Sequence, residues 1–109
     1  MAQKIFVGEF EQLLLLAILH LENDARALAL LRKMEELAGR PVSRGAVYRT
    51  LDRLEDKGWV TWSLDEEARP ERGGHPRRAF QVTRRGILAL KAARRTLLGL
   101  WQGLERVLR

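Results

Sequence analysis

The chain has 109 residues, with a hydrophobic fraction of 46% and a charged fraction of 31%, which fits one folded domain and excludes an extended disordered chain. Its net charge of +6 points to an acidic partner, nucleic acid first and an anionic membrane second. The absence of cysteine excludes disulfides and thiolate metal sites. The longest apolar run, Leu13–Leu19, is far short of the roughly 20 residues of a membrane span, and with no signal-peptide pattern around it the chain reads as cytoplasmic.

In chain order, the spacing predicts a first helix from about Gly8 to Leu21, with Phe10, Leu13, Leu14, Ala17, Ile18 and Leu21 on one face. Leu15, Leu16 and Leu19 fall elsewhere around it. A helix apolar nearly all round must be covered on more than one side. In so small a domain, that implies a second subunit. Asp24 is a candidate cap for a second helix, about Ala25 to Ala38, whose stripe reads Leu28, Leu31, Met34 and Leu37. Gly39 suits a left-handed terminus, and Pro41 prevents continuation.

The most informative stretch follows, Ser43 to Trp59. The Ser43 hydroxyl can accept a hydrogen bond from a first-turn N–H. Val47, Leu51 and Leu54 then supply a narrow core stripe, leaving Arg44, Tyr48, Arg49, Asp52 and Arg53 outside, and Gly58 ends the helix. A tight turn between the second and third helices makes a helix-turn-helix unit. Guanidinium forks opposite a narrow core stripe suit a DNA major groove.

Trp59 to Leu64 alternates, with Val60, Trp62 and Leu64 on one face, and reads as a strand. Asp65 to Pro76 is a polar loop with Pro70, Gly73, Gly74 and Pro76. A second strand, Arg78 to Val82, points Phe80 and Val82 inward. The hairpin completes a winged helix-turn-helix of order α-α-α-β-β-α, mainly helical with a small hairpin. Arg72, Gly73, Gly74, His75, Arg77 and Arg78 form its arginine-rich wing, where glycine lets backbone approach a phosphate and arginine suits a narrow minor groove.

Thr83 caps a last helix expected to run almost to Arg109, with a seam of Leu90, Leu97, Trp101, Leu104 and Leu108. Residues 1–82 are thus read as the DNA-binding domain and 83–109 as a dimerisation helix. The expected interface joins that seam to Phe10, Leu14, Leu15 and Ile18 of another copy. The charges agree: residues 84–109 hold seven Lys/Arg against one Asp/Glu, while the N-terminal part carries Glu9, Glu11 and Glu22. Two Trp101 rings brought together by a two-fold axis could sandwich a small hydrophobic or aromatic effector.

Catalytic equipment is poor. His20 and His75 are the only histidines, Glu35 and Glu36 diverge on a helix, and Glu66 and Glu67 lie at a strand end or loop. Gly73-Gly74 lacks the flanking pattern of a nucleotide-binding loop, and no metal-ligand spacing occurs. The chain reads as no enzyme, with no cofactor and no metal.

Three blocks, Glu9–Leu19, Val42–Val60 and Arg72–Gly86, together resemble the PadR-like family of bacterial transcriptional regulators. The last combines the wing with the start of the final helix. The resemblance implies a homodimer, with each C-terminal helix on the partner's N-terminal helix. It also implies double-stranded DNA as partner, with repression released by a small effector and no membrane. Within the DNA-binding helix, Ser43, Arg44, Gly45, Tyr48, Arg49 and Arg53 are the expected contacts. Relatives commonly carry Tyr-Gly early in the second helix; this chain has Arg26-Ala27. The rival reading is a winged-helix module that docks proteins without touching DNA, since residues 43–58 are only mildly basic, four Lys/Arg against three Asp/Glu.

Overall fold

A computed structural model describes residues 6–65 and 77–108. Helix α1 spans Glu9–Leu21 and passes through a 3₁₀ turn, Glu22–Asp24, to α2, Ala27–Ala38. Then come α3 (Arg44–Asp56), strands β1 (Val60–Asp65) and β2 (Arg77–Val82), and α4 (Arg84–Trp101). The strands form one antiparallel pair in which Val60 faces Val82 and Trp62 faces Phe80.

The core gathers one side of every helix over the base of the hairpin. Leu14, Leu15 and Ile18 meet Leu30 and Met34 of α2, Val47, Leu51 and Leu54 of α3, Val60 and Phe80 of the strands, and Ala89 of α4. Leu14, Leu15 and Ile18 were expected at a subunit interface; all three are instead buried within this one chain. Helices α2, α3 and α4 and strand β2 all pack on α1 and use those side chains up. The apolar surface that α1 keeps is Leu16 and Leu19, both about two-fifths exposed.

The start of α2 differs from expectation. Asp24 ends the 3₁₀ turn and Arg26 stands at the N-cap, with no side-chain capping bond. The cause is non-local: the Phe80 N–H of β2 donates to the Ala25 carbonyl at 2.9 Å, tying that residue to the sheet, and Arg26 after it is extended. The inward stripe is also turned from the predicted one, because Leu30 and Met34 are buried while Leu28 and Leu37 are exposed. Gly39 does take the left-handed terminus, at φ 67°.

At the other end, Thr83 caps α4 as expected, its hydroxyl accepting from the Gly86 N–H at 3.1 Å. Gly86 is buried against the preceding strand, and an added Cβ would run into the Trp59 carbonyl oxygen. Helix α4 stops at Trp101 rather than near Arg109, and Gly103 turns the chain at φ 84°. Leu104 and Leu108 therefore follow in turns and do not prolong the helical seam.

A partly buried ion pair ties the first helix to the third. Glu11 closes the start of α1 by accepting from the Gly8 N–H at 3.0 Å. Its other oxygen accepts from Lys57 Nζ, at the C-cap of α3, at 2.7 Å. That ammonium also lies 4.6 Å from the Trp59 ring centroid. Glu11, expected as a free acidic group for the cationic last helix, is thereby consumed inside the fold.

Candidate nucleic-acid interface

Local sequence sets the orientation of α3. Ser43 Oγ accepts from the Ala46 N–H at 3.1 Å, satisfying a first-turn donor. Val47, Thr50, Leu51 and Leu54 are buried, so the helix cannot rotate without exposing them. Arg44, Gly45, Tyr48, Arg49, Asp52 and Arg53 consequently stand exposed, with Ser43 at their head. Gly45 has a specific use here. Arg49 Nη1 lies 3.2 Å from where a Cβ would be, so the guanidinium folds back over the glycine one turn earlier.

The hairpin leans on the same helix. Of Val60, Trp62 and Leu64, expected on one face of β1, only Val60 is buried, and Trp62 and Leu64 are exposed because the hairpin runs past the core. Trp62 is instead held from the side. Its indole N–H donates to Glu55 Oε1 of α3 at 3.1 Å, and the Arg78 guanidinium lies 5.1 Å from its ring centroid. Arg77 and Arg78 are exposed at the loop end of the hairpin strands. Arg72, Gly73, Gly74 and His75 lie outside the described residues.

Between α2, α3 and β2 the surface sinks into a groove of about 380 Å³. Arg26 and Leu28 line one wall, Arg44 and Tyr48 a second, and Arg77 and Phe80 a third. Arg26 was not among the expected DNA contacts. Only its departure from the family's Tyr-Gly pair marked it in the sequence, and its neighbours come from distant segments.

A second groove, of about 440 Å³, runs between α1 and α4. Leu16 and Leu19 form one side; Leu90, Leu97, Leu98 and Trp101 form the other. Of the residues expected at an interface, Leu90 and Phe10 pack partly on the core, whereas Leu97 and Trp101 are about half exposed. Among the described residues no group of three or more His, Asp or Glu could hold a metal. No described helix is long and apolar enough to cross a membrane.

A capped helix after a tight turn, followed by a two-stranded wing and a trailing helix, defines a winged helix-turn-helix protein. The chain belongs to the transcriptional regulator PadR-like family, whose sequence pattern matches residues 15–92. Two solved structures share the fold. A PadR family transcriptional regulator from Eggerthella lenta superposes with a TM-score of 0.66 at 23% identity, over 90% of this chain and 82% of that one. A PadR-like transcription factor from Bacteroides fragilis gives 0.71 at 22% identity, over 92% and 90%. No curated protein matches the chain.

Proposed function

We propose that this regulator binds double-stranded DNA as a homodimeric repressor. Residues 1–82 form the DNA-binding unit and residues 83–109 the dimerisation segment. The observation that carries the reading is the outward face of α3. Arg44, Tyr48, Arg49 and Arg53 stand on a helix that its cap and four buried residues prevent from rotating, with Arg77 and Arg78 at the loop end of the wing strands. Arginine forks on such a face read guanine edges in the major groove, each good bidentate pair giving about 1–3 kcal/mol of discrimination. Ser43 and Gly45 let the start of the helix approach the strand closely. The wing segment, which in sequence includes Arg72, Gly73, Gly74 and His75, adds contacts outside that groove.

Exposed apolar surface supports the dimer. Leu16 and Leu19 on α1, with Leu97, Leu98 and Trp101 on α4, leave an open apolar channel that a second copy would close. Two-fold symmetry then demands a pseudo-palindromic operator, with half-site centres about 34–36 Å apart or a multiple of that. A half-exposed Trp101 at the mouth of the channel is where a small hydrophobic or aromatic effector would stack and alter the pairing.

Binding of wild type and Arg49→Ala to operator and to random duplex tests the reading. Arg49→Ala should weaken operator binding far more than random binding. Equal losses would make Arg49 a phosphate contact. No wild-type binding to any duplex at micromolar protein and low salt would favour the protein-docking module.

A further inference from the structure

We infer that Trp62 is a positioning residue of the DNA interface. Its indole ring, tethered to α3 through Glu55, holds the Arg78 guanidinium where it meets a backbone phosphate. This rests on the DNA reading above and adds to it a residue that acts without touching DNA.

The register of the hairpin sets up the arrangement. Trp62 stands opposite Phe80, and Leu64 opposite Arg78. Directly opposed residues share a face of an antiparallel pair. Trp62 and Arg78 are therefore diagonal neighbours on the face that carries Phe80 into the core. Arg77, one position earlier, belongs to the other face. The Arg78 guanidinium carbon lies 5.1 Å from the Trp62 ring centroid, within the range of a cation–π contact.

Core packing does not account for the indole. Trp62 is 37% exposed, whereas Trp59 and Phe80 are buried in the core. A ring so open to water is fixed instead by a directed bond, its Nε1–H donating to Glu55 Oε1 at 3.1 Å. Glu55 lies in the last turn of α3, where a carboxylate opposes the helix dipole, so its placement favours the indole at the expense of the helix. Donation to a carboxylate also polarises the ring and strengthens its hold on a cation.

Arg78 needs such a hold. It lines the same groove as Arg44 of α3, and like charges favour the long side chain swinging away into solvent. The ring face supplies the opposing attraction and orders the guanidinium before a phosphate arrives, which lessens the entropy lost on binding. Two links, Glu55 to Trp62 and Trp62 to Arg78, thus tie a cation of the wing to the helix that reads bases.

A double-mutant cycle tests this on binding of the full chain to random-sequence duplex over a range of salt. Arg78→Ala should weaken binding and flatten the plot of log affinity against log salt by about 0.9, the mark of one lost phosphate contact. Trp62→Leu keeps apolar bulk and every charge. It should weaken binding roughly two- to fivefold, the range of an exposed cation–π contact. Trp62→Phe, which keeps a π face without the N–H, should recover part of that loss. In an Arg78→Ala background neither Trp62 substitution should change affinity further. Melting of each variant at one protomer concentration checks folding. Where Trp62→Leu fails to fold, the loss in Trp62→Phe and its disappearance without Arg78 decide the matter. Equal losses with and without Arg78 would make Trp62 a direct contact or a residue of the fold, and overturn the proposal. An unchanged slope in Arg78→Ala, or full affinity in Trp62→Leu, overturns it too. Absence of wild-type DNA binding refutes the underlying reading as well, and is distinguishable from a wild type that binds with Trp62 irrelevant.

Discussion

Lys57→Met should destabilise the protein more than Glu11→Gln, although both break the same ion pair. The Glu11 side chain is 7% exposed and that of Lys57 is 35% exposed. Removing Lys57 leaves a carboxylate with only the Gly8 N–H as partner, 3.0 Å away, and with almost no access to water. An uncompensated buried charge costs about 3–5 kcal/mol, and the remaining hydrogen bond places this case near the lower end, about 3 kcal/mol. Glu11→Gln instead leaves an ammonium that can turn to solvent and keeps its contact with the Trp59 ring, 4.6 Å away. The glutamine carbonyl can still accept from Gly8. A cost of about 1 kcal/mol is expected, that of a single ordinary hydrogen bond. Urea unfolding at a fixed protomer concentration measures both, because the proposed dimerisation would make the midpoint concentration-dependent. With a slope of about 1–3 kcal/mol per molar, Lys57→Met should lower the midpoint by roughly 1 M or more and Glu11→Gln by a third of that. Equal shifts, or a larger one for Glu11→Gln, would refute the claim that unequal burial governs the pair.

Four further outcomes follow from local geometry. Gly86→Ala should cost about 3 kcal/mol, at the upper end for overpacking, since the new Cβ meets the Trp59 carbonyl and lies 2.7 Å from Val82 Cγ1. Gly99→Ala, with nothing within 4 Å of the added carbon, should leave the melting temperature unchanged or raise it. Leu16→Glu combined with Leu97→Glu should convert the proposed dimer to monomer in sedimentation equilibrium while the circular dichroism stays helical; a dimer that persists would move the interface off the α1–α4 channel. Ser43→Ala should cost about 1 kcal/mol in chemical unfolding through the lost bond to Ala46, and no measurable loss would mean that water satisfies that donor.

What the sequence disclosed was local. Ser43, Thr83 and Gly39 mark helix ends through bonds or dihedrals within a few residues, and all three act as expected. The Val47, Leu51, Leu54 stripe was legible because α3 carries few other apolar residues. Helix α2 has four leucines and a methionine around it, so more than one face could have turned inward, and packing on α1 and α3 selected Leu30 and Met34. Helix α1 is apolar almost all round, which made Leu15 look available when it is buried. The start of α2 depended on a bond from Phe80, more than 50 residues away in sequence, that no local pattern encodes. The candidate site divides the same way. The α3 face could be read from spacing, whereas the groove holding Arg26 exists only once β2 is laid beside Ala25.

The central claim is that two copies of α3 read two half-sites across a two-fold axis. Selection of bound sequences from a pool of random duplexes tests it most directly. The account predicts enrichment of an inverted repeat with half-site centres about one helical turn, 34–36 Å, or a multiple apart, and loss of that enrichment in Arg49→Ala. A single unrepeated motif, or no enrichment with wild-type protein, would contradict it.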